Sequence, residues 1–114
     1  MDATGVREFI LSLPEVTEYD HGGLPAFRVR GKRFASMLDR ESVNVMPGDE
    51  AIRAAAALWP DACQERFFAG RLASLGIRFS AADPEVVHEL IFEAWAHRAP
   101  KRLHAAGLRI AQGD

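Results

Sequence analysis

A hairpin signal in the first third of the chain constrains its fold more than any other feature. Phe27 and Val29 alternate with arginines in a short run, which is the two-residue period of a half-buried strand. Gly31 and Lys32 then fit a two-residue type II′ turn, because glycine adopts the positive φ of the first central position without strain. Residues 33–38 return as the second strand. The sequence therefore predicts a tight antiparallel hairpin.

Further short strands follow this hairpin. Polar residues 39–41 predict a second turn before the alternating Val43 and Val45, which extends the hairpin into a three-stranded meander. Two more apolar runs, at 66–70 and 74–79, predict a fourth and a fifth strand. Strands that follow one another through tight turns favour an antiparallel sheet over a parallel one.

Four helices are predicted around these strands. The first has an apolar stripe at helical spacing. The third has Asp-Pro at its start, where aspartate caps the helix and proline suits the first helical position. Their signals are Val6, Phe9, Ile10 and Leu13 for the first helix, Asp49 as the cap of a second helix over 50–58, Asp83 and Pro84 for the third, and Pro100 and Gly107 as the start and end of a short fourth. Residues 15–20 are expected to form a solvated loop.

These elements predict an α+β fold and a single domain over residues 1–114. The expected architecture has two layers, a five-stranded antiparallel sheet with helices on one face, in the order α-β-β-β-α-β-β-α-α. The expected core contains Phe9, Phe27, Val29, Leu90, Ile91 and Trp95.

Composition excludes several classes of protein. No apolar run approaches the roughly 18 residues that span a bilayer, and the first residues show neither the basic nor the apolar region of a signal peptide. We therefore expect a cytoplasmic protein with no membrane partner. The single cysteine, Cys63, rules out a multi-cysteine metal site and is interpreted as a small packing residue near a helix end.

Residue patterns typical of enzymes are incomplete in this chain. His88 and Glu89 begin a zinc-protease motif, but its second histidine is replaced by Phe92. Glu93 and His97 are spaced to form a surface ion pair on one helix. No phosphate-binding glycine loop occurs. We therefore expect a non-enzymatic protein that uses no metal and no cofactor.

The stretch His21, Gly22 and Gly23 resembles the oxyanion loop of some hydrolases. That loop works with a serine in a G-x-S-x-G turn, which the chain lacks. The glycines are better explained as a structural loop, and binding of an unidentified small molecule is the alternative role.

Positive charge is concentrated in blocks, although the net charge is −2. Six cations form the candidate nucleic-acid site: Arg28, Arg30, Lys32 and Arg33 on the hairpin, and Lys101 and Arg102 at the start of the last helix. A cationic hairpin can lie along a nucleic-acid groove as the wing of a winged domain, where it neutralises phosphates. The alternative is a solvated sheet face whose cations pair with acidic residues.

The segment His21–Ala35, with Ala94-Trp95 and Ala99–Leu103, resembles the signatures of the MmcQ/YjbR family of small bacterial proteins. The resemblance implies a cyclised double-wing fold related to DNA-binding domains, and no established catalytic residue. Ser74-Leu75-Gly76 stands where members often carry Gly-Trp-Val. DNA binding is the leading expectation. The alternatives are a protein-interaction or chaperone-like module that forms a homodimer through its sheet, and a small-molecule-binding or resistance protein.

Overall fold

The computed structural model describes residues 1–113 as six strands, four α-helices and two short 3-10 turns. The strands are β1 (Val16–His21), β2 (Leu24–Val29), β3 (Lys32–Met37), β4 (Ser42–Val45), β5 (Cys63–Phe68) and β6 (Arg71–Arg78), and the helices are α1 (Ala3–Ser12), α2 (Asp49–Leu58), α3 (Pro84–Arg98) and α4 (His104–Ala111). The strands form one antiparallel sheet in the order β1-β2-β3-β4-β6-β5. The α+β class is confirmed, with one more strand than expected.

The additional strand is β1, in the segment expected to be a solvated loop. It lies at the edge of the sheet and pairs only with β2. None of its six side chains is fully buried, so apolar residues are not required there and its sequence shows no core-facing alternation. At the other edge, β5 begins at Cys63, which we had placed near a helix end, and the thiol is buried in the core.

The hairpin turn also differs from the prediction by one residue. Val29 pairs with Lys32, so the two turn residues are Arg30 and Gly31. Their φ angles are 52° and 81°, and two positive values define a type I′ turn rather than type II′. Type I′ geometry matches the right-handed twist of the flanking strands. Consequently Arg30 lies at the tip of the hairpin and not on the same strand face as Arg28.

Helices α1, α2 and α3 pack against the sheet, and α4 packs on α3. Phe27, Ala35, Val45 and Leu75 lie in one cross-strand row, and all are buried in a single core with Trp95 of α3. Five of the six expected core residues are fully buried. The sixth, Phe9, remains partly exposed and packs against that core.

The partly exposed ring of Phe9 stacks on His88 of α3, with centroids 4.0 Å apart and planes 8° from parallel. Desolvation lowers the pKa of His88, which favours the neutral imidazole in this stack. His88 is therefore a packing residue between α1 and α3.

Two helix boundaries differ from expectation. Gly107 lies inside α4, not at its end, and faces the indole of Trp95. Gly48, not Asp49, is the N-cap of α2, and Asp49 occupies the first helical turn.

Within residues 1–113, no helix has both the length and the apolar character needed to cross a membrane.

Candidate nucleic-acid interface

Two hairpins turn at the same end of the sheet. Ala35, Val45 and Leu75 are aligned across β3, β4 and β6. The turn at 30–31 precedes β3 and a second turn, at 69–70, precedes β6. Because β3 and β6 are both antiparallel to β4, their N-terminal ends and these two turns lie at the same end of the sheet. We call β2–β3 the first wing, β5–β6 the second wing, and the sheet end that carries both turns the wing end. Only β4 separates β3 from β6, which puts their axes about 10 Å apart.

Two distant arginines meet at one carboxylate on the wing end. Arg30 donates through Nη1 to Oε1 of Glu15 at 3.1 Å, and Arg102 donates through Nη2 to Oε2 of the same residue at 3.3 Å. The hydrogen bond from Arg30 is the main cause that lowers the pKa of Glu15; desolvation opposes it, and the charges of Arg102 and Arg30 lower the pKa further. One negative charge serves two guanidinium groups, so the cluster keeps a net positive charge.

A buried tryptophan holds the segment that carries this carboxylate. Trp95 donates from Nε1 to the carbonyl oxygen of Pro14 at 3.1 Å, and Glu15 follows directly with a left-handed φ of 59°. Because this conformation is unfavourable for a residue with a Cβ, surrounding contacts must maintain it. The core thereby fixes where Arg30 and Arg102 meet.

The other two hairpin arginines lie on the open face of the sheet. Arg28 places its guanidinium 4.1 Å from the ring centroid of Tyr19. Arg33, paired with Arg28 across the strands, has Nη1 2.9 Å from Nε2 of His21. Neither forms an ion pair within residues 1–113, since both pack on aromatic side chains of β1. On the same face, Oδ1 of Asn44 is buried without a hydrogen-bond partner.

The two lysines of the predicted site are exposed. Lys32 begins β3 beside the first turn. Lys101 lies with Arg102 in a 3-10 turn before α4, and so outside the α-helix whose first turn we had expected to hold them. The structure thus joins Arg30 and Arg102 in one cluster and directs Arg28 and Arg33 to the adjoining sheet face. Lys32 and Lys101 are exposed, two residues after Arg30 and one residue before Arg102.

The proposed ligand loop lies at the other end of β1 and β2. Gly22 and Gly23 form the two-residue turn between these strands, with φ of 64° and 90°. Neither glycine has a neighbouring atom within 4 Å of the place of a Cβ, so the turn is open to solvent. It is separate from the Glu15 cluster, and small-molecule binding there stays a prediction.

A cleft between α2 and α3 contains acidic residues of α3. It has a volume of about 770 Å³ between α2 and α3 and includes Glu89, Glu93 and His97. Burial, with the charge of Glu89, raises the pKa of Glu93. The expected ion pair between Glu93 and His97 does not form, because the imidazole lies against Gly48. Residues 1–113 contain no group of three or more His, Cys, Asp or Glu suited to a metal ion.

Two aromatic residues at the wing end are not among the site residues predicted from the sequence. Phe67 and Phe68 end β5 beside the second turn, and their exposed fractions are 64% and 79%. Arg66 and Arg71 flank them. The signal that could have identified them is the run Arg-Phe-Phe-Ala-Gly-Arg, in which two consecutive large apolar residues precede a glycine turn and cannot both face one core.

Most of the chain matches a known protein family. A family model described as YjbR matches residues 11–97, a range that includes the whole sheet, α2 and nearly all of α3. No match was found among curated proteins or among solved structures.

Proposed function

The chain belongs to the YjbR family, and from this premise we propose that it is a non-enzymatic DNA-binding domain that applies its wing end to the phosphate backbone. The observation that carries the proposal is the convergence of Arg30 and Arg102 on Glu15. It joins the first wing to the cationic segment before α4 and leaves an excess of positive charge. Phosphate oxygens accept the same hydrogen bonds from guanidinium as carboxylate oxygens do.

The acidic net charge of the chain does not oppose this function. Phosphates respond to the local field, and the Debye length is about 8 Å at physiological ionic strength. Lys32 and Lys101 are exposed at the wing end, beside the two arginines in sequence. The four cations and Glu15 together therefore carry an excess of positive charge on a chain whose net charge is −2.

We expect the combined variant Arg30→Asn, Lys32→Gln and Arg102→Gln to lose most salt-dependent DNA binding. Asparagine suits the first position of a type I′ turn, so the hairpin is preserved. Each phosphate contact contributes about 0.9 to the slope of log affinity against log salt concentration, so three lost contacts flatten the slope by up to about 2.7. Titration of a labelled duplex at several salt concentrations measures the slope.

The matched control removes three cations from other surfaces, as Arg40→Gln, Arg53→Gln and Arg78→Gln. Arg40 and Arg78 lie toward the sheet end opposite the wings, and Arg53 is exposed on α2. The net charge changes equally, but the slope should fall by less than about one unit. Equal slopes for the two variants, or absence of binding by the native chain at low salt, would contradict the proposal.

Glu15→Gln should have the opposite effect. The substitution removes the carboxylate charge that competes with phosphate for Arg30 and Arg102, so binding should tighten by a few-fold and the salt slope should steepen by about one unit. The loss of two exposed ion pairs should change the free energy of unfolding only slightly, because water and salt screen them. Duplex titration and urea unfolding separate the two effects, and weaker binding by a folded variant would contradict the role given to Glu15.

A protein-interaction module is the second candidate function, favoured by the exposure of Phe67 and Phe68 on an edge strand. An interface of this kind buries apolar surface, so its affinity should depend weakly on salt, whereas DNA binding should depend steeply on it.

A further inference from the structure

The second wing ends in two phenylalanines that the fold itself does not use. Phe68 is 79% exposed and Phe67 is 64% exposed, whereas the other phenylalanines of the chain are buried or packed against the core. Exposing a phenyl ring to water forgoes about 1.5–3 kcal/mol of burial free energy. Two such rings at the tip of one hairpin form an apolar element that is available to a partner.

Phe67 and Phe68 lie on opposite faces of the hairpin tip, and we call this pair of rings the blade. Phe67 pairs with Leu72 and Phe68 pairs with Arg71, and consecutive strand residues point to opposite faces of the hairpin. A platform that stacks successive bases of a single strand needs aromatic residues two apart on one face. A tip that is apolar on both sides fits instead between two flat surfaces, such as the adjacent base pairs of a duplex step.

The charges around the blade favour nucleic acid as its partner. Arg71 follows the turn and forms no ion pair within residues 1–113, whereas the side chain of Arg66 extends away from the tip, over Gly76. The first wing adds the net positive Glu15 cluster at the same end of the sheet. A duplex held there by its phosphates would lie beside Phe67 and Phe68.

We propose that Phe67 and Phe68 form a wedge that inserts at a base step of duplex DNA and bends it. The proposal rests on the DNA-binding function proposed above and adds the mode of binding. Apolar wedges in minor-groove proteins unstack a base step and kink the duplex by about 20–90°. In this arrangement the cations of the first wing position the backbone, and the second wing deforms it.

The test measures bending and binding separately. A duplex of roughly 25 base pairs, a length over which bends of this size are spread, carries a donor and an acceptor dye at its ends. Energy transfer should rise when the native chain binds. The variant Phe67→Ala with Phe68→Ala should abolish that rise and leave the salt slope within about one unit of native, because the phosphate contacts remain. Both side chains are exposed, so the variant should fold.

A mismatched duplex provides a second measurement. Unstacking costs less at a mismatch, so the native chain should bind a duplex with a central mismatch on the order of tenfold more tightly than the matched one. The double variant should lose this preference. Leu58→Ala is the control, because Leu58 is 67% exposed at the C-terminal end of α2, which lies by the start of β5 and away from the wing end; bending and preference should both persist.

The outcomes distinguish the wedge from the function on which it rests. Salt-dependent binding without increased energy transfer overturns the wedge and leaves the DNA-binding proposal intact. Absence of binding at low salt overturns both. A native dimer in sedimentation that the double alanine variant dissociates, with unchanged bending, would assign the phenylalanines to contact between two copies of the chain and overturn the wedge.

Discussion

Trp95→Ala is expected to lower the free energy of unfolding by about 3–5 kcal/mol, the range for removing a large aromatic side chain from a core. Trp95 heads the fully buried side chains by volume, with no exposed surface. It lies against Phe92 of its own helix and His104 of α4, and its indole donates the hydrogen bond to Pro14. Domains of this size are stable by only about 5–15 kcal/mol, so the loss is a large fraction of the total. Urea unfolding at neutral pH measures it.

Two further variants separate packing from positioning at Trp95. Phe9→Ala removes an aromatic ring that is only partly buried and should cost less than Trp95→Ala. Trp95→Phe keeps much of the buried ring but removes the donor to Pro14, so the segment that carries Glu15 should loosen while the chain still folds. A loss below about 1 kcal/mol for Trp95→Ala would contradict the assignment of this indole to the centre of the core.

The parts of the fold predicted correctly are those whose signals are local. The alternation around Phe27 and Val29, and the Asp83-Pro84 start of α3, each depend on adjacent residues. The edge strand β1 was missed because a strand with one neighbour and no fully buried side chain needs no apolar alternation. The turn type was wrong because both Arg30-Gly31 and Gly31-Lys32 place a glycine at a position of positive φ, and only the pairing of Val29 with Lys32 decides between them.

The candidate site shows the same division between local and distant information. The cations of the first wing are evident from their spacing, but their meeting with Arg102 depends on Glu15, whose left-handed backbone no sequence pattern indicated. The phenylalanines of the second wing lay in a segment predicted as a strand, and apolar strand residues are normally buried. Their exposure follows from the position of β5 at the sheet edge, which depends on the strand order of the whole chain.

Gly107→Ala should destabilise the protein by about 1–3 kcal/mol, the usual cost of overpacking a core. A Cβ at this position would lie 2.3 Å from Cζ3 and 2.5 Å from Cη2 of Trp95, far inside contact distance. Helix propensity alone predicts the opposite sign, because alanine is favoured over glycine by about 1 kcal/mol within a helix. The steric effect should dominate because the indole is fully buried and has no free space into which to move. Urea unfolding of the variant against the native chain gives the sign.

A control and a rescue test the steric origin of this effect. Gly5→Ala places a methyl group in α1 no closer than 3.3 Å to another residue's side chain, so helix propensity should leave its stability unchanged or raise it by up to about 1 kcal/mol, and not lower it. Trp95→Leu removes the rings that the new Cβ would meet. If the clash causes the loss, adding Gly107→Ala to Trp95→Leu should cost at least about 1 kcal/mol less than adding it to the native chain. Additive losses would contradict the steric explanation. They would show that glycine is needed at this position for the backbone of α4 and not for the close approach of α4 to Trp95.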